Sequence, residues 1–324
     1  MGPSSVVSAA RTVRAAGVQA LLAVLVVSGC ADASRTSCRV GADCASGICL
    51  GSGMCARPSD AGGTDAGTEL DARIEADGGL DTDAAMPDGG GRVCSPDRDG
   101  TIARAEVPLS AGLHATFRVA EDAPVDLVGT SSGGTRRWDL SGALGGDSDT
   151  RIDLVPVTGA WYAPDFPGAS YAARLSASED LLGVFEITSD ALLLRGVVSP
   201  DDGLSRTRLT YDPPVPVLRF PLREGDSWSA TSSVTGLALG VASFYSETYA
   251  SQVDAAGELA TPFGSFPVLR VRTVLDRTVG VVTTRTRTFA FVSECFGTVA
   301  TVTSDPGETA VEFTRASELR RLAP

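Results

Sequence analysis

Lysine and asparagine are absent from the 324 residues, and histidine occurs once. All 27 basic residues are therefore arginine. A phosphate-loop lysine, a Schiff-base lysine and an Asn-linked glycan are excluded outright. His114, in Leu113-His114-Ala115, would have to serve any Ser-His-Asp or Cys-His hydrolase and any zinc site with imidazole ligands. No H-E-x-x-H helix accompanies it, and a strand-edge histidine with a local hydrogen bond is the simpler reading. Positive charge is also in deficit. Forty acids against 27 arginines leave a formal net charge of −13, which gives no electrostatic footprint for DNA or RNA and little attraction to anionic lipid.

Long apolar runs are scarce too. The one that stands out, Ala15 to Val27, is too short to span a bilayer and follows Arg11 and Arg14 in the order of a signal peptide. Val27-Ser28-Gly29-Cys30 then resembles a lipobox, which implies cleavage before Cys30 and its acylation. The membrane is thus an expected partner, through N-terminal acyl chains. Ala31, rather than Asp, follows the cysteine, and among bacterial lipoproteins that implies sorting to the outer membrane; Asp32 lies one place further on.

The seven cysteines divide as one, four and two. Cys30 takes the lipid. Cys38, Cys44, Cys49 and Cys55 form a C-x5-C-x4-C-x5-C cluster with too few apolar residues to fold by burial, so two disulfides in an oxidising compartment are expected. A four-thiolate metal site would need closer C-x2-C spacing. The pattern, with its Asp-Cys-x-Ser-Gly-x-Cys centre, resembles short secreted Cys-rich modules of the EB or Dickkopf N-terminal kind. Three pairings are open, of which Cys38–Cys49 with Cys44–Cys55 is preferred. Cys94 and Cys295 remain, and they should pair across the last domain. Lipidation of Cys30 removes the odd thiol that an exported chain would otherwise carry.

From Arg57 to Arg92 the chain is Asp, Gly, Ala and Thr without aromatics, the composition of a disordered acidic spacer. Five segments follow: a signal peptide over 1–29, a lipidated tether over 30–37, the two-disulfide module over 38–55, the linker over 56–92 and a β-rich domain over 93–324. At the start of that domain Asp97, Asp99, Gly100 and Glu106 echo a calcium loop. Ser95 stands where the first aspartate is expected, however, and no helical pattern follows. Two readings stay open there: calcium held by Asp97, Asp99 and Glu106, or a metal-free Asp-Gly turn.

Beyond residue 107 short β-branched or aromatic runs recur between Gly, Pro and Asp punctuation, among them HATFRV, LLLRGVV, VPVLRF, FPVLRVRTVL and TRTFAFV. Such spacing predicts a mainly β fold: a curved antiparallel sheet, half-barrel or sandwich-like, without parallel βαβ units. The string G-x-L-x-T-P-x-G-x-F-x-V-L-R-V from Gly257 to Val271, with Phe220-Pro221-Leu222 and Trp228 before it, resembles uncharacterised exported bacterial proteins. Some of these are similar to the curved half-barrels of lipoprotein carriers such as LolA and LppX. The resemblance implies a carrier-like sheet and supplies no catalytic residue.

A hairpin closing between Thr278 and Val279 would set Phe266 opposite Phe291 and Val268 opposite Phe289. It would also set Arg270 opposite Arg287 and Arg272 opposite Arg285. Four guanidinium groups on one face repel one another unless acids or an anion lie between them. Either acids on adjacent strands, Glu247 or Glu294 for instance, neutralise them, or Arg270, Arg272, Arg285 and Arg287 form a floor for an anionic ligand. Trp138, Trp161 and Trp228 are core residues or stacking platforms for a glycan. The reading taken forward is a non-enzymatic, lipid-anchored envelope protein that binds an amphiphile, a glycan or another envelope protein, without a cofactor. The alternative is a carboxylate-dependent envelope hydrolase with a calcium-stabilised loop.

Overall fold

The computed structural model describes residues 94–324. The signal peptide, Cys30, the Cys38, Cys44, Cys49 and Cys55 module and the linker lie outside the described residues. In chain order the strands are β1 (Thr101–Ile102), β2 (His114–Pro124), β3 (Thr130–Ser132), β4 (Thr135–Asp139), β5 (Ser148–Asp153) and β6 (Tyr171–Arg174). They continue with β7 (Leu182–Ile187), β8 (Ala191–Val198), β9 (Arg208–Arg219), β10 (Leu222–Arg223) and β11 (Ser227–Ala238). The last are β12 (Val241–Ala260), β13 (Ser265–Val279), β14 (Val282–Ser293), β15 (Gly297–Thr303) and β16 (Arg315–Ala323). Among the described residues helix is confined to two 3-10 turns, at Arg104–Glu106 and Ala163–Asp165, and no helix is long and apolar enough to cross a membrane.

β1 and β10 pair with each other; every other strand belongs to one 14-stranded sheet. Its antiparallel path runs β5-β2-β16-β15-β14-β13-β12-β11-β9-β8-β7-β6. The sheet curls until its two edges meet. Beyond the end of β5, Val155 and Ala172 of β6 exchange both backbone hydrogen bonds, each 2.8 Å. The expected half-barrel or sandwich is thus a nearly closed barrel with one seam.

Period-2 alternation explains the wall. Along β11 the residues Trp228, Ala230, Ser232 and Val234 point inward, while Ser227, Ser229, Thr231 and Ser233 face water. Inward residues make two joined cores. One gathers Leu218, Leu222, Trp228, Val253, Leu269 and Val271; the other gathers Leu194, Tyr211, Val215 and Val234.

Two stretches of the sheet are buried on both faces. Residues 155–169 cover the outside of β6 to β8, where Tyr162 and Phe166 pack on Ala172, Val184 and Val198. Residues 125–147 and 304–314 cover β12 to β16, with Trp138, Leu127 and Phe313 on Phe266, Phe289 and Phe291. In that cover β3 and β4 form a hairpin, and β4 pairs parallel with Gly257–Ala260 along the edge of β12 that β11 has left. The close approach depends on Gly257, since a Cβ there would come within 2.2 Å of the Arg136 carbonyl oxygen.

A β-bulge at Asp254 lets β12 serve both layers. Before it, odd-numbered residues such as Val253 face the barrel interior; after it, Ala255 and Leu259 face the outer cover. One extra residue reverses the alternation.

Residues 94–113 form a strap across one end of the barrel. Cys94 is bridged to Cys295 in the β14–β15 turn, and the Cys295 amide donates to the Glu106 carbonyl at 2.7 Å. Thr101 and Ile102 pair with Arg223 and Leu222. The bridge closes a separation of 201 residues, for which chain entropy sets a ceiling of about 5 kcal/mol. Cys94→Ser/Cys295→Ser should lower stability by about 2–5 kcal/mol, read as a fall in the urea midpoint under non-oxidising conditions. An unchanged midpoint would mean that the remaining strap bonds suffice.

Candidate functional site

The strap roofs an apolar cavity of about 220 Å³. Val107, Leu109 and Leu113 come from the strap itself, while Phe117, Ile152 and Leu154 come from the β2–β5 side of the seam. Tyr171 of β6, Leu192, Leu218 and Leu322 complete the wall, with Phe296 beside the disulfide. Both edges of the seam therefore contribute to one cavity. At Gly112 and Leu113 the strap is hydrogen-bonded to Leu154 at 2.7 and 2.8 Å.

Polar groups at the cavity are few. His114 stands exposed at its margin, on β2 opposite Asp153. Burial pushes the Tyr171 hydroxyl far above its usual pKa, and the nearby Arg104 charge opposes this only in part. Burial also lowers the pKa of Arg104, whose guanidinium donates to the Val107 carbonyl at 2.9 Å. The polar side chains at the cavity are thus the Tyr171 phenol, the marginal His114 imidazole and the Thr298 hydroxyl, around an apolar volume.

The four arginines singled out from the sequence do share one face of the β13–β14 hairpin, but not in the expected register. The turn falls at Gly280-Val281, because a two-residue hairpin loop needs positive φ and Gly280 supplies it at 59°. Arg270 then faces Phe291, Arg272 faces Phe289, Val274 faces Arg287 and Asp276 faces Arg285. No arginine opposes another.

Each of the four has its own partner. Arg270 is 1% exposed, and all five of its donors are used. Asp254 takes two bonds at 2.8 and 3.0 Å, Glu312 takes two at 2.9 and 3.3 Å, and the Leu127 carbonyl takes one at 2.5 Å. Its plane lies between Trp138 and Phe289, 5.3 and 4.7 Å from the ring centroids. Arg272 donates to Gln252 at 2.8 Å, and Arg285 makes a two-pronged pair with Asp276 at 2.7 and 2.6 Å. That pairing holds the Asp276 carboxyl below its usual range. Arg287 caps the carbonyls of Glu308 and Thr309 at 3.3 and 3.2 Å. The neutralising acids are thus Asp254, Glu312 and Asp276, not Glu247 or Glu294. The bulged Asp254 and the loop residue Glu312 carry no period that points at Arg270.

The acidic residues near the strap also regroup. Glu106 accepts the Ala103 amide at 2.7 Å and caps the 3-10 turn. Glu294 takes the place expected of it, and carboxylate oxygens of Asp97, Asp99 and Glu294 lie within 4.8 Å of one another. An all-carboxylate set suits a hard cation, but the amides of Asp99, Thr101 and Arg98 already bond to these three side chains.

Each indole N–H is engaged by backbone. Trp138, Trp161 and Trp228 donate to the carbonyls of Leu127, Ser199 with Pro200, and Pro216, at 2.9 to 3.2 Å. Asp165 is paired with Arg208, and Asp139 with Ser141. The string Gly129-Thr130-Ser131-Ser132-Gly133 has the spacing of a nucleophile elbow, yet Ser131 lies in the exposed β3 of a hairpin, not at a strand-to-helix turn. Sequence reading missed the cavity because its walls come from seven strands and the strap, with no local pattern.

No protein-family model matches the chain, nor does any curated protein or solved structure.

Two predictions follow from these groups. Arg270→Met should destabilise the fold by about 3–5 kcal/mol, since it leaves the Asp254 and Glu312 carboxylates without their cation; chemical denaturation reads this. Burial, aided by Glu106, Asp97 and Asp99, raises the Glu294 pKa above the usual glutamate value. The folded state therefore holds that proton more tightly than the unfolded one, and stability should fall as pH rises through the folded pKa. Glu294→Gln in EDTA should raise Tm more at pH 7 than at pH 4.5; equal gains would contradict the repulsion.

Proposed function

We propose that this is a lipid-anchored, non-enzymatic cell-envelope protein whose barrel holds the apolar part of a single-chain amphiphile. The supporting observation is the strap-roofed cavity at the seam, apolar except for Tyr171 and the marginal His114 and Thr298. A dry cavity of ~150 Å³ takes a benzene ring. A volume of about 220 Å³ suits an alkyl segment of roughly eight to ten carbons, each buried methylene contributing ~0.8 kcal/mol. The seam supplies the entrance, because one two-bond bridge at Val155 and Ala172 joins its edges. The lipobox-like Val27 to Cys30 and the cysteine count support export and anchoring at the outer membrane.

Titration of the full chain with decanoate and decyl maltoside, followed by calorimetry and thermal melting, tests this. Saturable one-to-one binding is expected, weakened at least tenfold by Ala115→Phe, which fills the cavity from β2. Binding that survives this substitution would place the ligand elsewhere. Turnover of labelled peptidoglycan or lipid by the same protein would argue instead for the carboxylate-dependent hydrolase.

A further inference from the structure

The barrel end opposite the strap is capped by apolar turns. Leu204 in the β8–β9 loop is fully exposed, Val281 in the β13–β14 turn is 98% exposed and Phe244 near the β11–β12 turn is 74% exposed. Leu239, Val241 and Val282 stand beside them, each more than half exposed. The turns are held together as one end. Gly240 donates its amide to the Arg206 carbonyl at 2.9 Å, and Leu239 donates to the Thr207 hydroxyl at 3.1 Å. β12 and β13 are paired up to Ser246 and Thr278, just below the tips.

Polarity changes in steps along the barrel axis. Residues 236–246 and 278–284 contain no charged side chain, while the β8–β9 loop carries exposed Asp201 and Asp202 beside Leu204. Arg206 is ion-paired with Asp202 within the β8–β9 loop itself, and at the strand ends lie Arg208, Arg277 and Arg285, partly exposed and ion-paired with Asp165, Glu247 and Asp276. Tyr245 lies under Arg277 at the barrel mouth, ring centroid to guanidinium 5.2 Å, and packs on the inner core. Below this girdle the outward residues of β11 are Ser and Thr. Apolar tips, a girdle of ion-paired arginines and a hydrophilic wall are the sequence of surfaces that a protein resting in a membrane interface presents.

We propose that these turns insert into the surface of a zwitterionic phospholipid bilayer. The charges support that occupant over an anionic one: the girdle is internally neutralised and the whole chain carries −13. Separate convex turns suit a fluid lipid surface better than the flat face of a second protein copy. Chain length permits it as well. The chain enters at Cys94, bridged to the β14–β15 turn at the far end of β14 from Val282, a strand of about 40 Å. Of the 63 residues between Cys30 and Cys94, the 45 outside the expected Cys38–Cys55 module have a contour of roughly 150 Å, so an anchor at Cys30 would not keep the turns from the same membrane. This inference goes beyond the cavity reading and does not rest on it.

The test uses the full chain with Val281→Trp and, at the strap end, Ser110→Trp as control, mixed with phosphatidylcholine vesicles. For Val281→Trp the added emission should shift to the blue and be quenched at least twofold by brominated phosphatidylcholine; that of Ser110→Trp should not change. Adding Leu239→Ser and Phe244→Ser to the first variant should abolish the quenching. Emission unmoved by vesicles, or quenching that survives the serine substitutions, would overturn the proposal. So would a blue shift without lipid that grows with protein concentration, which would assign the turns to self-association.

Discussion

The pairing of Arg270 with Asp254 and Glu312 is the constraint on which the two-layered part of the structure depends. At Arg270 every donor is met, and each one left over would cost more than a formed bond returns. The interaction joins four places at once. Asp254 sits in the β12 bulge, Glu312 in the segment before β16, Leu127 in the outer cover, and Arg270 itself in the middle of β13. Meeting the charge therefore docks the outer cover on the sheet and keeps the bulge in place. Arg321 joins segments in a similar way on β16, where it holds the Gly142 carbonyl and the Asp147 carboxylate, although its buried Nε has no partner among the described residues. Because arginine is the sole basic residue here, buried cations carry planar forks that join several segments, which a lysine could not do.

The bulge has a second consequence. By reversing the alternation of β12 it lets Val253 belong to the barrel core and Leu259 to the cover. The interior is uneven as a result. Towards the strap the inward residues are apolar and leave a cavity. Towards the opposite end the fully buried Glu247 accepts from Tyr249 and Arg277. Burial and that carboxylate push the Tyr249 hydroxyl well above its usual pKa. Tyr211, raised by the same causes, joins them against Leu194 and Val234. One half of the barrel is thus filled and cross-bonded, and the empty volume is displaced to the strap end.

The β class was legible in the sequence because alternation over runs such as SWSATSSV is a local signal. The Cys94–Cys295 bridge was legible because lipidation of Cys30 would leave an even count. That Arg270, Arg272, Arg285 and Arg287 share a face was also legible, since that depends only on parity. Their neighbours were not. The register hung on one turn, and Gly280 marked it better than the centre of the apolar pattern did. The acids that meet Arg270 lie 16 residues before it and 42 after it, in a bulge and a loop, where no periodicity links them to β13. Closure of the barrel was invisible for the same reason, because it rests on one residue from each of two loop-flanked edges.

Those edges explain why the cavity and the strap occur together. A sheet closed by a full ladder would need neither, since its interior would be sealed by backbone hydrogen bonds along the whole contact. Here the seam has a single bridge, and the residues that would have been buried by a longer one, Ile152, Leu154 and Tyr171, line empty space instead. The strap supplies the missing contact from outside the sheet through Val107, Leu109 and Leu113. It is bonded to the seam at Gly112 and Leu113, and to the β14–β15 turn through Cys94 and Glu106. The covalent staple therefore stands where the sheet is least able to close itself. It holds in place an apolar part of the barrel interior that side chains do not fill.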